Sequence, residues 1–113
     1  MENPQLTMKR LMSRMNSLLD ELEKLGIHAA QAEYEYRVEE AKKTLVLRDD
    51  GFQTTLIPTL TKGDEKVAKM RLARDVAEVR YKSAQERINA VKKEIGVLAE
   101  EINREWGNAK YGV

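Results

Sequence analysis

From Met8 onward, apolar residues recur at Met8, Leu11, Met15, Leu18, Leu22, Leu25, Ala29, Ala32 and Tyr36. Steps of three and four alternate without a break, the spacing that holds one face of a supercoiled helix against a partner. Asn3-Pro4 places a capping residue before a proline, so this helix is expected to open there and run over residues 4–48. Beyond Tyr36 the stripe passes to Tyr34, Val38, Ala41 and Leu45, a change of phase expected where a helix alters its packing partner or local supercoil. Gly26, within Glu23-Lys24-Leu25-Gly26-Ile27, is a possible helix end. The seam keeps its phase across it and strong helix formers follow, which favours one continuous helix with a weak spot.

A second helix is predicted over residues 64–106, with its seam at Met70, Ala73, Ala77, Tyr81, Ala84, Ile88, Val91, Ile95, Leu98 and Ile102. The extra step of four from Ala77 to Tyr81 is a stutter. Thr61 and Asp64 resemble a capping box at its start, and Gly107-Asn108 supplies a stop before a loose tail over 107–113. Residues off the two seams, namely Met12, Leu19, Ile27, Val67, Leu72, Val76 and Val79, widen the apolar face beyond what a two-helix seam needs.

Residues 49–63 separate the helices. Asp50-Gly51 and Lys62-Gly63 bracket the stretch and Pro58 lies inside it, so it reads as a loop. Phe52, Leu56, Ile57, Pro58 and Leu60 are nevertheless too apolar for a solvated linker. Long structureless loops are uncommon and often functional. The expected roles are a cap folded over the hairpin end or a neighbouring chain, or a docking surface for a protein partner. Residues 54–57 also suit a short β-ribbon.

Charge orients the helices. Residues 20–40 hold seven acids against Lys24 and Arg37, a net of −5, whereas residues 62–93 hold ten bases against five acids, a net of +5. Lys9, Arg10 and Arg14 make residues 9–19 basic, and residues 94–105 carry four acids against Arg104. Opposite charges face one another only if the helices pair antiparallel. Each exposed pair contributes ~0–1 kcal/mol, so charge selects orientation and burial along the seams supplies stability. The expected fold class is all-α: one domain, a long antiparallel two-helix hairpin whose surplus apolar surface is covered by self-association into a dimer, a four-helix bundle or a larger oligomer.

Composition agrees. Charged residues make up 35% of the 113 and aromatics 5%, a long-helix balance rather than that of a thick globular core. The absence of cysteine excludes disulfides and thiolate metal sites. No apolar run approaches the ~20 residues that span a bilayer, and the first residues lack a signal-peptide layout, so no membrane association and a cytoplasmic location are expected.

No catalytic constellation is visible, and no cofactor or metal is expected. His28 is the single histidine and is expected at an exposed rim, and the acids of residues 20–40 lack the Glu-x-x-His repeats of carboxylate metal bundles. Neither Gly51 nor Gly63 precedes a Lys-Ser/Thr pair, and Ser13, Ser17 and Ser83 lie inside helices, away from any nucleophile elbow. Nucleic-acid binding is the stronger rival, through Lys62, Lys66, Lys69, Arg74 and Arg80 as phosphate contacts. Interleaved Asp75, Glu78 and Glu86 break that field, which favours a solvated face answering the acidic helix.

Several segments resemble an uncharacterised family of small helical proteins from phages and prophages of Gram-positive bacteria. They are Ala32-Glu33-Tyr34-Glu35-Tyr36-Arg37-Val38 with Ala41-Lys42, Leu56-Ile57-Pro58, Lys62-Gly63-Asp64-Glu65-Lys66-Val67-Ala68, Arg74-Asp75 with Ala77-Glu78, and Ile102 with Arg104-Glu105-Trp106. The likeness spans residues 29–106. It implies a phage setting and carries no activity over. The leading expectation is a non-catalytic oligomeric interaction or scaffold protein. The alternatives are a nucleic-acid-binding accessory of phage recombination or replication, or an inhibitor of a host defence or host enzyme.

Overall fold

The structure, a computed structural model, describes residues 3–110. The chain is all-α, with α1 over Pro4–Asp49, α2 over Ile57–Gly63 and α3 over Glu65–Lys110. It divides into two compact units, one formed by Lys24–Lys82 and the other by Met1–Glu23 with Ser83–Val113. In each, α1 and α3 pair antiparallel, as the charge blocks require. Within Lys24–Lys82, Glu39 meets Lys66 at 3.3 Å and Glu33 meets Arg74 at 3.5 Å. In the other unit Glu21 meets Arg87 at 3.4 Å, and Leu18 packs with Ile88 and Val91 under Met15, Leu22 and Ile95.

The start of α1 is set as expected. The Asn3 carboxamide oxygen accepts the Gln5 amide at 2.8 Å, and the Asn3 carbonyl accepts the Thr7 amide at 3.0 Å. Its end is a Schellman turn. The Phe52 amide reaches back to the Leu47 carbonyl and the Gly51 amide to that of Arg48, with Gly51 at φ +84°, a conformation that only glycine adopts without penalty. α1 runs unbroken through Gly26. The missing side chain serves packing there: a Cβ on Gly26 would lie 3.1 Å from the ring of Tyr81.

The first seam, Met8 through Tyr36, is buried or half-buried at every position. Both predicted phase changes are corrected. In α1 the covered stripe continues through Tyr36, Glu40, Lys43, Thr44 and Leu47, whereas Tyr34, Ala41 and Leu45 are exposed. In α3, Ala73 is exposed and the seam runs Val67, Met70, Arg74, Ala77, Tyr81, Ala84, Ile88, Val91, Ile95, Leu98 and Ile102. That is an unbroken alternation of three and four, so α3 has no stutter. The sequence pattern misplaced both because polar residues, Glu40, Lys43 and Arg74, occupy seam positions. Val67, expected off the seam, is among the most deeply buried side chains. Burying such a side chain contributes ~1.5–3 kcal/mol.

Residues 49–63 are not one irregular loop. α2 occupies the second half with Pro58 in its first turn, where the missing amide proton costs nothing, and no strand forms among the described residues. The helical spacing of Ile57 and Thr61 buries both, one turn apart. Thr61 therefore packs instead of capping. The cap of α3 is Asp64, whose Oδ2 accepts the Val67 amide at 3.1 Å while its own amide donates to the Thr61 carbonyl at 3.2 Å. The predicted stop at Gly107-Asn108 is passed by α3, which reaches Lys110. The rest of the predicted tail lies outside the described residues.

Gly26 and Tyr81 yield a test. Alanine is preferred over glycine inside a helix by ~1 kcal/mol. Gly26→Ala is expected to realise that gain in a Tyr81→Leu background and to lose at least that much of it opposite the native ring. A double-mutant cycle by urea denaturation measures the coupling. Equal effects in the two backgrounds would show that the contact carries no constraint.

Candidate functional site

Two features of the Lys24–Lys82 unit stand out. The first is a polar node inside the seam. Tyr36 is 4% exposed, and its phenol donates to Glu40 Oε2 at 2.6 Å. The other oxygen of Glu40 accepts from Arg37 Nη1 at 3.2 Å. The guanidinium of Arg74 lies over the Tyr36 ring, 4.4 Å from its centroid, and Arg37 approaches the same ring at 5.3 Å. Arg74 also bonds Asp75 at 3.0 Å and faces Glu33 at 3.5 Å. A cation over an aromatic face contributes ~0.5–2 kcal/mol, more as water is excluded.

The ionisation of the node follows from these contacts. The hydrogen bond to Glu40, then burial, then the charge of Glu40 raise the Tyr36 phenol above its usual value, so it stays neutral and donating. The same hydrogen bond lowers Glu40 below the ordinary carboxylate range against the opposing effect of burial, with Arg37 adding to the shift. Burial opposes the charge on Arg74, but Asp75, Glu33 and Tyr36 outweigh it and raise its pKa.

The second feature is an apolar groove of about 430 Å³ between the end of α1 and α2, lined by Glu40, Ala41, Thr44, Leu45, Ile57, Pro58, Thr61 and Lys62. Its floor is fixed by hydrogen bonding. Thr44 donates to the Glu40 carbonyl at 2.9 Å, which leaves Thr61 to donate across the 3.4 Å between the two hydroxyls. Lys43 reaches Asp64 Oδ1 at 3.4 Å and ties α1 to the junction of α2 and α3. The Val67 amide, and secondarily Lys43, holds the Asp64 carboxyl below its ordinary value.

The residues singled out from sequence are distributed unevenly. Of the apolar set, Ile57 is buried in the floor of the groove, and Pro58 lies exposed on its wall. Phe52, Leu56 and Leu60 are exposed, Leu56 at the N-terminal cap of α2 and Leu60 one turn further on. Of the basic set, Lys66 is paired with Glu39, Lys69 with Glu65 at 3.1 Å, and Arg74 is committed to the node. Lys62 and Arg80 are exposed. The five therefore do not form one free cationic surface. His28 is exposed. No helix among the described residues is long and apolar enough to cross a membrane. Sequence reasoning missed Tyr36, Glu40 and Arg74 as a cluster. The available signal was that a seam alternation allowed to pass through polar residues runs unbroken from Val67 to Ile102.

The lowered carboxyls set an acid limit on stability. Glu40 and Asp64 have folded pKa values below their unfolded ones, so the unfolded chain binds more protons in that window. Their contribution is full above the ordinary values of 4.5 and 3.8 and is lost as pH falls through the depressed ones. Tyr36 has the opposite sign, and its contribution is lost as pH rises above 10.0. Urea denaturation across pH 2–7 is expected to show a fall in stability below pH ~4.5 that Glu40→Gln makes shallower. An unchanged slope would remove Glu40 from the node's energetics. The chain matches no protein family, and no curated protein and no solved structure is significantly similar to it.

Proposed function

We propose that this chain is a non-catalytic, self-associating interaction or scaffold protein of phage or prophage origin. The observation that carries the proposal is the amount of large apolar surface left outside the seams. Leu6, Met12, Leu19, Ile27, Tyr34, Leu45, Leu72, Val76, Val79, Val97 and Trp106 are all exposed beyond 40%. Scattered exposed apolar residues are ordinary, but rows of them at helical spacing are the usual mark of an interaction face. The strongest polar arrangement, around Tyr36, Glu40 and Arg74, supports a structural reading because its members satisfy one another inside the seam. The exposed side chains of Leu60 on α2, of Leu56 at its start and of Phe52 before it suit a further protein partner. The phage setting rests on the sequence resemblance. Against DNA stands the engagement of Lys66, Lys69 and Arg74 by acids of the same chain.

Self-association makes folding stability depend on protein concentration. Light scattering is expected to give a discrete dimer or higher assembly at micromolar concentration, with Tm rising as the protein is concentrated. A stable, strictly monomeric chain whose Tm does not move would overturn the proposal.

A further inference from the structure

The stripe Tyr34, Val38, Ala41, Leu45 does not continue the inner seam, yet its periodicity is real. Extended backward it takes in Gln31 and Ile27, so positions 27, 31, 34, 38, 41 and 45 alternate in steps of four and three without a break. This is a second heptad pattern on α1. It is offset from the covered stripe, and all its members are exposed except Val38, which is half-buried. At its C-terminal end it runs into the apolar groove, since Ala41 and Leu45 are groove walls beside Pro58.

We infer that this outer stripe is an intermolecular seam, occupied antiparallel by the same stripe of a second copy of the chain. The inference rests on the self-association proposed above and assigns it a surface, an orientation and a register. Two antiparallel two-fold registers bring apolar positions together. One sets Ile27 against Leu45 and brings Glu35 and Arg37 each against its own counterpart, like against like. The other, which charge favours, sets Tyr34 against Leu45 of the second copy and Val38 against its Ala41. Fixing those layers fixes the flanking positions as well: Glu35 faces Lys42 of the second copy, and symmetry makes that pair twice. Parallel pairing sets Arg37 against Lys42 instead, like against like. Charge complementarity therefore selects the antiparallel dimer. In this register Tyr34 of one copy comes to the groove beside Leu45 and Pro58 of the other. An aromatic ring fills apolar space there, and Lys62, which also lines the groove, offers its hydroxyl a polar partner.

α3 carries a shorter rival stripe, Leu72, Val76 and Val79, which ends at Ser83. It offers three apolar positions against five on the α1 stripe, Ile27, Tyr34, Val38, Ala41 and Leu45, and Lys66 and Lys82 beside it are held by Glu39 and Glu78 of the same chain.

Sedimentation velocity on the full chain tests the assignment, with circular dichroism confirming that each variant is folded. The altered side chains are exposed and leave the inner seams intact. Leu45→Glu is expected to give a folded monomer, and Val76→Glu to leave association unchanged. Glu35→Lys and Lys42→Glu each reverse two symmetry-related pairs and are expected to weaken the dimer about tenfold. Mixed in equal amounts, these two single variants restore every pair and are expected to form a heterodimer of near native affinity; the Glu35→Lys/Lys42→Glu double variant is expected to recover the homodimer. A chain that associates but ignores Leu45→Glu and both charge reversals overturns this inference and leaves self-association standing. A chain that is monomeric throughout overturns both.

Discussion

A guanidinium held across a phenol ring, inside a seam built for apolar side chains, is the interaction on which the pairing of α1 with α3 in the Lys24–Lys82 unit depends. Apolar layers repeating every heptad are nearly interchangeable, so two long helices that meet through them alone can exchange one register for another at little cost. Arg74 removes that freedom. A partly buried cation is costly without partners, and while Asp75 beside it on α3 is in reach in any alignment, Tyr36 and Glu33 of α1 meet it together only in this one. Glu40 completes the arrangement by accepting hydrogen bonds from the Tyr36 phenol and the Arg37 guanidinium, so its own charge in the seam is not left alone. The node contributes modestly to stability and strongly to uniqueness, the division expected of polar residues placed in coiled-coil seams.

The same logic governs the turn region. Where the covered stripe of α1 becomes polar at Lys43 and Thr44, α2 brings polar groups to meet it: the Thr61 hydroxyl, and beyond it the Asp64 carboxylate. Asp64 ends α2, caps α3 and pairs with α1, so one short side chain joins three helices. Ile57 fills the apolar part of the gap. A groove remains beside it because α2 is short and covers only the last turns of α1.

Two faces of α1 thereby acquire different destinies. The inner face is satisfied within the chain. The outer one carries its own heptad repeat, borders the groove and is exposed at every position but Val38. A helix with two such faces suits the dimer proposed above, with the self-complementary charges beside Tyr34 and Leu45 giving that proposal its orientation.

The sequence alone determined what local periodicity and bulk charge can determine. Two long helices, their antiparallel pairing, the Asn3 start, the Asp50-Gly51 turn and the first seam through Tyr36 could all be read from residue order, because each depends on near neighbours or on the sign of a whole segment. The tertiary structure decided which of two heptad stripes turns inward beyond Tyr36, and it placed Arg74, and not Ala73, in the second seam. A pattern of apolar residues cannot make those choices, since a polar side chain becomes a seam residue only when a partner from another helix satisfies it. Ring, carboxylate and hydroxyl partners for Arg74, Lys43 and Thr44 come from positions 17 to 41 residues away. α2 was hidden for a related reason: seven residues around a proline are too few to show a helical period, and the helix stands because Ile57 and Thr61 are buried against α1.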